Sequence, residues 1–181
     1  MEVFFLAFLF LIYLGALQSL IIYQKTIDMH TPTLGYEDDT RISKIEIAQT
    51  QLTEAIALFV ERKFLCAITL AGAAEEVFAR LLNARGQKSV VEESVDTIQE
   101  LREKTGLPFM GNRSKKEIFN HWNSIRNTIK HHCDKDQEIV IINLFDEAYW
   151  MIKRALANAS TLGAPISNEM DFENWCILEL H

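Results

Sequence analysis

Cysteine is scarce in this chain and badly placed for bridging. Its three cysteines stand far apart, at 66, 133 and 176, with no C-x-x-C pair. An odd, scattered set argues against a disulfide framework and against a structural zinc site, and it fits a reducing, cytosolic setting. Cys66, inside an apolar helical stretch, reads as a small core residue. A glycine-rich phosphate loop is missing, as are internal repeats and βαβ alternation, and strand signal is almost absent. Basic charge is also short. Eighteen Lys and Arg face 25 Asp and Glu, for a net charge of −7, so the protein as a whole is no obvious nucleic-acid binder. No carboxylate cluster or Cys/His set offers metal ligands, so neither a metal nor another cofactor is expected.

What is present begins with a long apolar run. Val3 to Tyr23 is 21 residues without a charge, which at about 1.5 Å per residue reaches roughly 30 Å, the thickness of a bilayer core. Glu2 and the length of the run make it a poor signal peptide. Lys25 favours a cytoplasmic C-terminal side. Two readings stay open for residues 1–28. One is a transmembrane anchor through residues 3–23 that holds a cytoplasmic domain at the inner membrane. The other is an upstream extension, with translation from Met29 giving a fully cytoplasmic protein. A polar, turn-rich linker follows at 29–40.

From residue 41 to 163 the pattern is helical and predicts an all-α, up-down bundle of four to five helices. The first helix, 41–62, places Ile45, Ala48, Leu52, Ile56 and Phe59 on one face. The second, 63–86, carries Ile68, Ala71, Ala74, Val77, Phe78 and Leu81 and closes at Gly86, while its small residues Gly72, Ala73 and Ala74 allow close packing. A third spans about 90–104 and stops before Gly106 and Pro108. Ser114-x-x-Glu117 is a capping box that starts the fourth at about 115. Asp134-x-x-Gln137 reads as a further cap, opening a fifth helix at about 137 that ends at Gly163 and Pro165. Residues 164–181 form an acidic tail with Phe172, Trp175, Ile177 and Leu178, expected to fold back onto the domain or onto a partner.

The chemistry concentrates in "NHWNSIRNTIKHHCD", Asn120 to Asp134. Between residues 102 and 135 eight Lys/Arg face three acids, a local excess that reads either as a solvated helix face or as a phosphate-attracting patch. Taking Ile118 as zero, Trp122, Ile125 and Ile129 fall within about 40° on the helical wheel, Arg126 near 80°, Lys130 near 120°, Asn123 near 140° and His131 near 220°. Arg126 and His131 therefore diverge in one continuous helix. They converge if the helix stops near Lys130, or across two copies of the chain. Arginine is a fixed cationic fork for phosphate. Histidine can move a proton near neutral pH. Asn127 can orient either group. The set suits RNA cleavage without metal: a base takes the 2′-OH proton, the oxygen attacks the adjacent phosphate, and arginine stabilises the developing charge. DNA lacks the 2′-OH and should be inert.

R-x4-H alone is a weak signal. With "AITLAGAAEEVFARLL" before it and a long amphipathic helix after it, "NSIRNTIKHH" resembles the HEPN superfamily, whose signature is R-x(4–6)-H, often with a polar residue after the arginine. Arg126, Asn127 and His131 match it, and the resemblance covers roughly residues 42–160, closest to the small stand-alone bacterial HEPN-like proteins. It implies a helical bundle, a homodimer with facing motifs, and a metal-independent endoribonuclease in active members, often in toxin–antitoxin, defence or stress roles. Other members only bind RNA, nucleotides or partners. Arg126, His131 and Asn127 are then the catalytic candidates. Lys130, Asn123, Lys115, Lys116 and Arg113 are the RNA-binding candidates, and an antitoxin or other protein partner would be held through the C-terminal tail.

Each residue has a plainer reading. Arg126 could cap carbonyls or pair with a glutamate at the edge of the buried face. His131 could be a C-cap that favours the helix dipole. His121 reads as surface and His132 as partly buried. Of Glu75 and Glu76, one is expected in solvent and the other paired with Arg80 or a base on the fourth helix. Trp122, Tyr149 and Trp150 read as core or dimer-interface residues. A second function class therefore stands beside the enzyme: an inactive HEPN-like binding or scaffold module.

Overall fold

A computed structural model describes residues 34–36, 39–131 and 138–180. The chain divides into two units, Met1–Arg41 and Ile42–His181. The second is all-helical: among the described residues there are six helices and no strand. These are α1 (Lys44–Val60), α2 (Phe64–Ala84), α3 (Val90–Thr105), α4 (Lys115–Lys130), α5 (Leu144–Leu162) and α6 (Glu169–Glu179). The apolar run 3–23 lies outside the described residues. Among those described, no helix is long and apolar enough to cross a membrane.

Three helix starts are fixed by the same device. Ser43 with Glu46, Ser89 with Glu92 and Ser114 with Glu117 form reciprocal capping boxes at α1, α3 and α4. Each satisfies backbone N–H groups that a helix leaves open at its first turn. Gly106 and Gly163 end α3 and α5 with φ of 70° and 69°, a left-handed conformation in which a Cβ is strained.

The core is built on α1, α2 and α5, which pack against one another. Leu52, Ile56 and Phe59 of α1 meet Ile68, Ala71 and Phe78 of α2 and Met151, Ile152 and Ala155 of α5, all buried. Helices α3 and α4 pair and lean on α2 and α5. A clamp shapes their connection. Arg102 donates to the carbonyls of Phe109, Gly111 and Arg113 at 2.8, 2.8 and 2.7 Å.

The acidic tail folds back onto the domain as α6. Phe172 is fully buried, with its ring 5.2 Å from that of Phe59, and Trp175 stacks edge-on 4.9 Å from Phe59. Lys153 pairs with Glu173 at 2.8 Å, and Asn168 donates to the Thr53 carbonyl. At the far end Arg62 pairs with Glu179 and sits over the Trp175 ring.

Two expectations are corrected. The helix expected from about 137 begins at Leu144, because residues 138–143 are not helical. Ile139, Val140, Ile141 and Ile142 are β-branched and lose rotamer freedom in a helix. The working cap is Asn143, whose side chain accepts from the Asp146 N–H at 3.2 Å. Asp134 and Gln137 lie outside the described residues. The second correction is Cys66, which is exposed. Ala67 and Ile68 take the inward positions in that turn of α2.

Candidate functional site

Helix α4 carries the motif, and its orientation differs from the apolar-stripe reading. Ile118 and Asn123 are its buried residues. They lie about 140° apart on the wheel, so Arg126, near 80°, falls in the middle of the buried face and not on its shoulder. Trp122 and Ile129 are half-buried within that face, and Ile125 is half-buried at its edge.

Arg126 can occupy that position because α2 gives it room and a counter-ion. A Cβ placed on Gly72 would stand 2.9 Å from Arg126 Cγ and 3.0 Å from Cδ. The bare backbone at Gly72 thus lets the arginine stem lie flat across the helix. One turn on, Glu75 accepts from Arg126 Nη1 at 2.8 Å. The two side chains are 4% and 13% exposed, respectively. Arg126 Nε is buried without a partner among the described residues.

Glu75 is itself tied to α5 and α3. Its other oxygen lies 3.5 Å from Asn158 Nδ2. Asn158 Oδ1 accepts from the Val90 N–H at 2.8 Å, filling an open donor in the first turn of α3. A second buried guanidinium stands nearby. Arg154 of α5 donates to the Trp122 carbonyl at 2.9 Å and to Met151 Sδ at 2.9 Å, and its Nε has no partner among the described residues. Burial pulls the Arg154 pKa down, the Glu75 carboxylate works against that shift, and the neighbouring Arg126 charge adds to it. Arginine still stays protonated. Two guanidinium groups thus share Glu75 as their closest buried carboxylate.

The rest of the motif lies at the surface. Helix α4 ends at Lys130, and His131 leaves it with φ −130° and ψ 140°, its N–H bonded to the Asn127 carbonyl at 3.0 Å. Asn127 and His131 are exposed. The His131 side chain is therefore freed from the 220° helical direction that would turn it away from Arg126. Lys130 reaches back to Glu76 at 3.6 Å. Glu76 also accepts from Arg80 at 2.9 Å, and that bond chiefly holds its carboxyl below the ordinary glutamate range. His121 is exposed, as expected, while His132, Cys133 and Lys135 lie outside the described residues.

Of the remaining basic candidates one is engaged and two are open. Lys115 pairs with Asp96 at 2.6 Å and Lys104 with Glu100 at 3.3 Å. Arg113 and Lys116 are exposed and form no ion pair among the described residues. Much of the positive excess read between residues 102 and 135 is thus matched by acids on α2 and α3. Asn123 is 4% exposed and donates to the Phe119 carbonyl at 3.0 Å, so it is no surface ligand. It lines instead a cleft of about 260 Å³ between α2, the start of α3 and α4, with Glu75 and Arg126 in the wall.

Sequence reasoning missed Asn158 and Arg154, and it named Gly72 only as one of three small residues that allow close packing. The signal for Asn158 was its place on the apolar face of α5, beside Met151, Ala155 and Ala159. Arg154 had no signal, and the match of Gly72 to Arg126 depends on how α4 crosses α2.

No protein-family model, no curated protein and no solved structure matches the chain.

Proposed function

We propose that this is a HEPN-like RNA-acting domain, an up-down bundle whose α4 end is a metal-independent endoribonuclease site. The observation that supports the reading best is the break at Lys130. It places an exposed imidazole directly after the helix that carries Arg126 and Asn127. In this reading His131 takes the 2′-OH proton, the 2′-oxygen attacks phosphorus, and the 5′-oxygen leaves with a proton. The products are a 2′,3′-cyclic phosphate and a 5′-hydroxyl. Arg126 faces the charge that builds on the phosphate, and Glu75 holds its fork in place. In a homodimer, His131 of the partner subunit could stand opposite Arg126 and complete the pair. The decisive experiment incubates the purified chain with a mixed RNA pool in EDTA, beside Arg126→Lys and His131→Ala. The parent should cut RNA and spare DNA, and both variants should lose cutting while staying folded.

A second reading is favoured by the Arg126–Glu75 ion pair. An arginine neutralised and mostly buried in this way can be purely structural. The chain would then be an inactive binding or scaffold module of the same shape. Absence of cutting by the folded parent, with retained binding of RNA or of a protein partner, would select it. Membrane anchoring rests on the apolar run of residues 3–23 alone, and a toxin–antitoxin role and an antitoxin partner rest on the resemblance alone.

A further inference from the structure

We propose that the cleft beside Arg126 is a pocket for a single nucleobase that carries an exocyclic amino group. The proposal rests on the RNA reading for its ligand class and on the cleft itself for everything else. At about 260 Å³ the space lies below the range of drug-sized pockets and suits one ring system. Its charges keep a phosphate out of the interior and leave it at the mouth, where Arg126 has its exposed edge. Glu75, Glu76 and Glu92 line it against Arg80 and Arg126, so an anion would meet a carboxylate majority. Glu75 and Glu92 are already engaged with protein donors, while Glu76 keeps an oxygen for a neutral ligand that presents N–H donors.

Asn123 supplies the specific signal. It is 4% exposed and lines the cleft. Its Nδ2 is used by the Phe119 carbonyl, while no donor among the described residues reaches its Oδ1. An acceptor left open beside a cavity can take a hydrogen bond from any ligand that brings a donor. Glu76 adds a second acceptor on the opposite wall, since one of its oxygens has only the long 3.6 Å contact with Lys130. Phe119 lies at the rim, 40% exposed, where its ring can stack on a base. Adenine, cytosine and guanine each carry an exocyclic amino group, and uracil has none. A base held here would leave its phosphate outside the carboxylates, on the side where α4 ends in Lys130 and His131.

The test is a titration of the ¹⁵N-labelled full chain with the 5′-monophosphates of adenosine, cytidine, guanosine and uridine, reading the Asn123 side-chain amide. At least one amino-bearing nucleotide should give saturable shifts, with uridine monophosphate weaker by about 5- to 150-fold, the worth of one good base contact. Phe119→Ala should weaken binding by about 5- to 150-fold through lost stacking. Phe119→Leu, which keeps apolar bulk at this exposed position, should weaken it too. Any of three results would overturn the proposal: no saturable shift with any nucleotide, equal binding of uridine monophosphate, or unchanged binding by both folded Phe119 variants. Nucleotide binding without RNA cutting would sink the nuclease reading and leave the pocket. RNA cutting without nucleotide binding would do the reverse.

Discussion

Removing the charge of Glu75 while keeping its shape, by Glu75→Gln, should cost the fold a large share of its stability. With Glu75 only 4% and Arg126 13% exposed, water cannot readily replace the lost partner. Breaking a buried ion pair from one side costs about 3–5 kcal/mol, because it strands the other charge. Two features of the site move the figure in opposite directions. Arg126 keeps an edge at the cleft, which lowers the cost. Arg154 is a second guanidinium that the same carboxylate compensates, which raises it. We expect about 3 kcal/mol for Glu75→Gln. That is a serious fraction of the 5–15 kcal/mol that a domain of this kind holds in total. Urea unfolding followed by far-UV circular dichroism measures it, with the slope checked for constancy. The double variant Glu75→Leu/Arg126→Met should lose clearly less than the sum of its two single changes, since no charge is then stranded. A Glu75→Gln loss under about 0.5 kcal/mol, or strict additivity in the cycle, would mean that the pair is incidental and that the account of α4 docking is wrong.

Gly72→Ala should destabilise despite a gain of about 1 kcal/mol in helix propensity. Its Cβ would press on an arginine stem that the Glu75 bond prevents from swinging away, and overpacking costs about 1–3 kcal/mol; a rise in Tm would count against the clash. Phe172→Ala should cost about 3–5 kcal/mol if α6 is part of the core, and protease protection of the C-terminal segment should fall with it. Asp96, held by Lys115 first and then Lys88, has its pKa lowered from 3.8 to about 2. Its folded pKa is depressed, so its contribution is present above about pH 4 and is lost as pH falls toward 2. Asp96→Asn should flatten the stability profile in that window alone. Gly163→Ala should cost about 1 kcal/mol, because φ there is 69°, and Gly163→Asn should cost less.

The helices were legible wherever capping and periodicity agreed. The Ser114–Glu117 box, Gly106 and Gly163 are local signals, and each stands where the sequence put it. The start of α5 was misplaced because Asp134-x-x-Gln137 looks like a cap, while the β-branched run after it penalises helix and Asn143 supplies a second cap. Periodicity also located the core on α1, α2 and α5, since those helices are amphipathic by burial. On α4 it was incomplete: Ile118 is buried and Ile129 packs on the core, but the stripe stops short of the centre of the buried face. The centre of that face is an arginine, and a hydrophobic stripe cannot reveal an interface built on an ion pair. The position needs Gly72 beneath it, Glu75 beside it and Asn158 behind it, and these stand 54, 51 and 32 residues away in the sequence. Nothing local connects them.

The burial of Arg126 changes how its chemistry has to be tested. On an exposed arginine, truncation to alanine reports the loss of a phosphate contact. Here it would also strand Glu75 and open space beside Gly72, so lost activity could follow from lost structure. Lysine at 126 keeps the charge and most of the stem, but it cannot present a planar fork to two acceptors at once. If Arg126 both anchors α4 and faces phosphate, Arg126→Lys should retain most of the stability, as judged by urea midpoint, and lose at least tenfold in cleavage. If the residue is only an anchor, the two readouts should fall together, and His131→Ala should change neither.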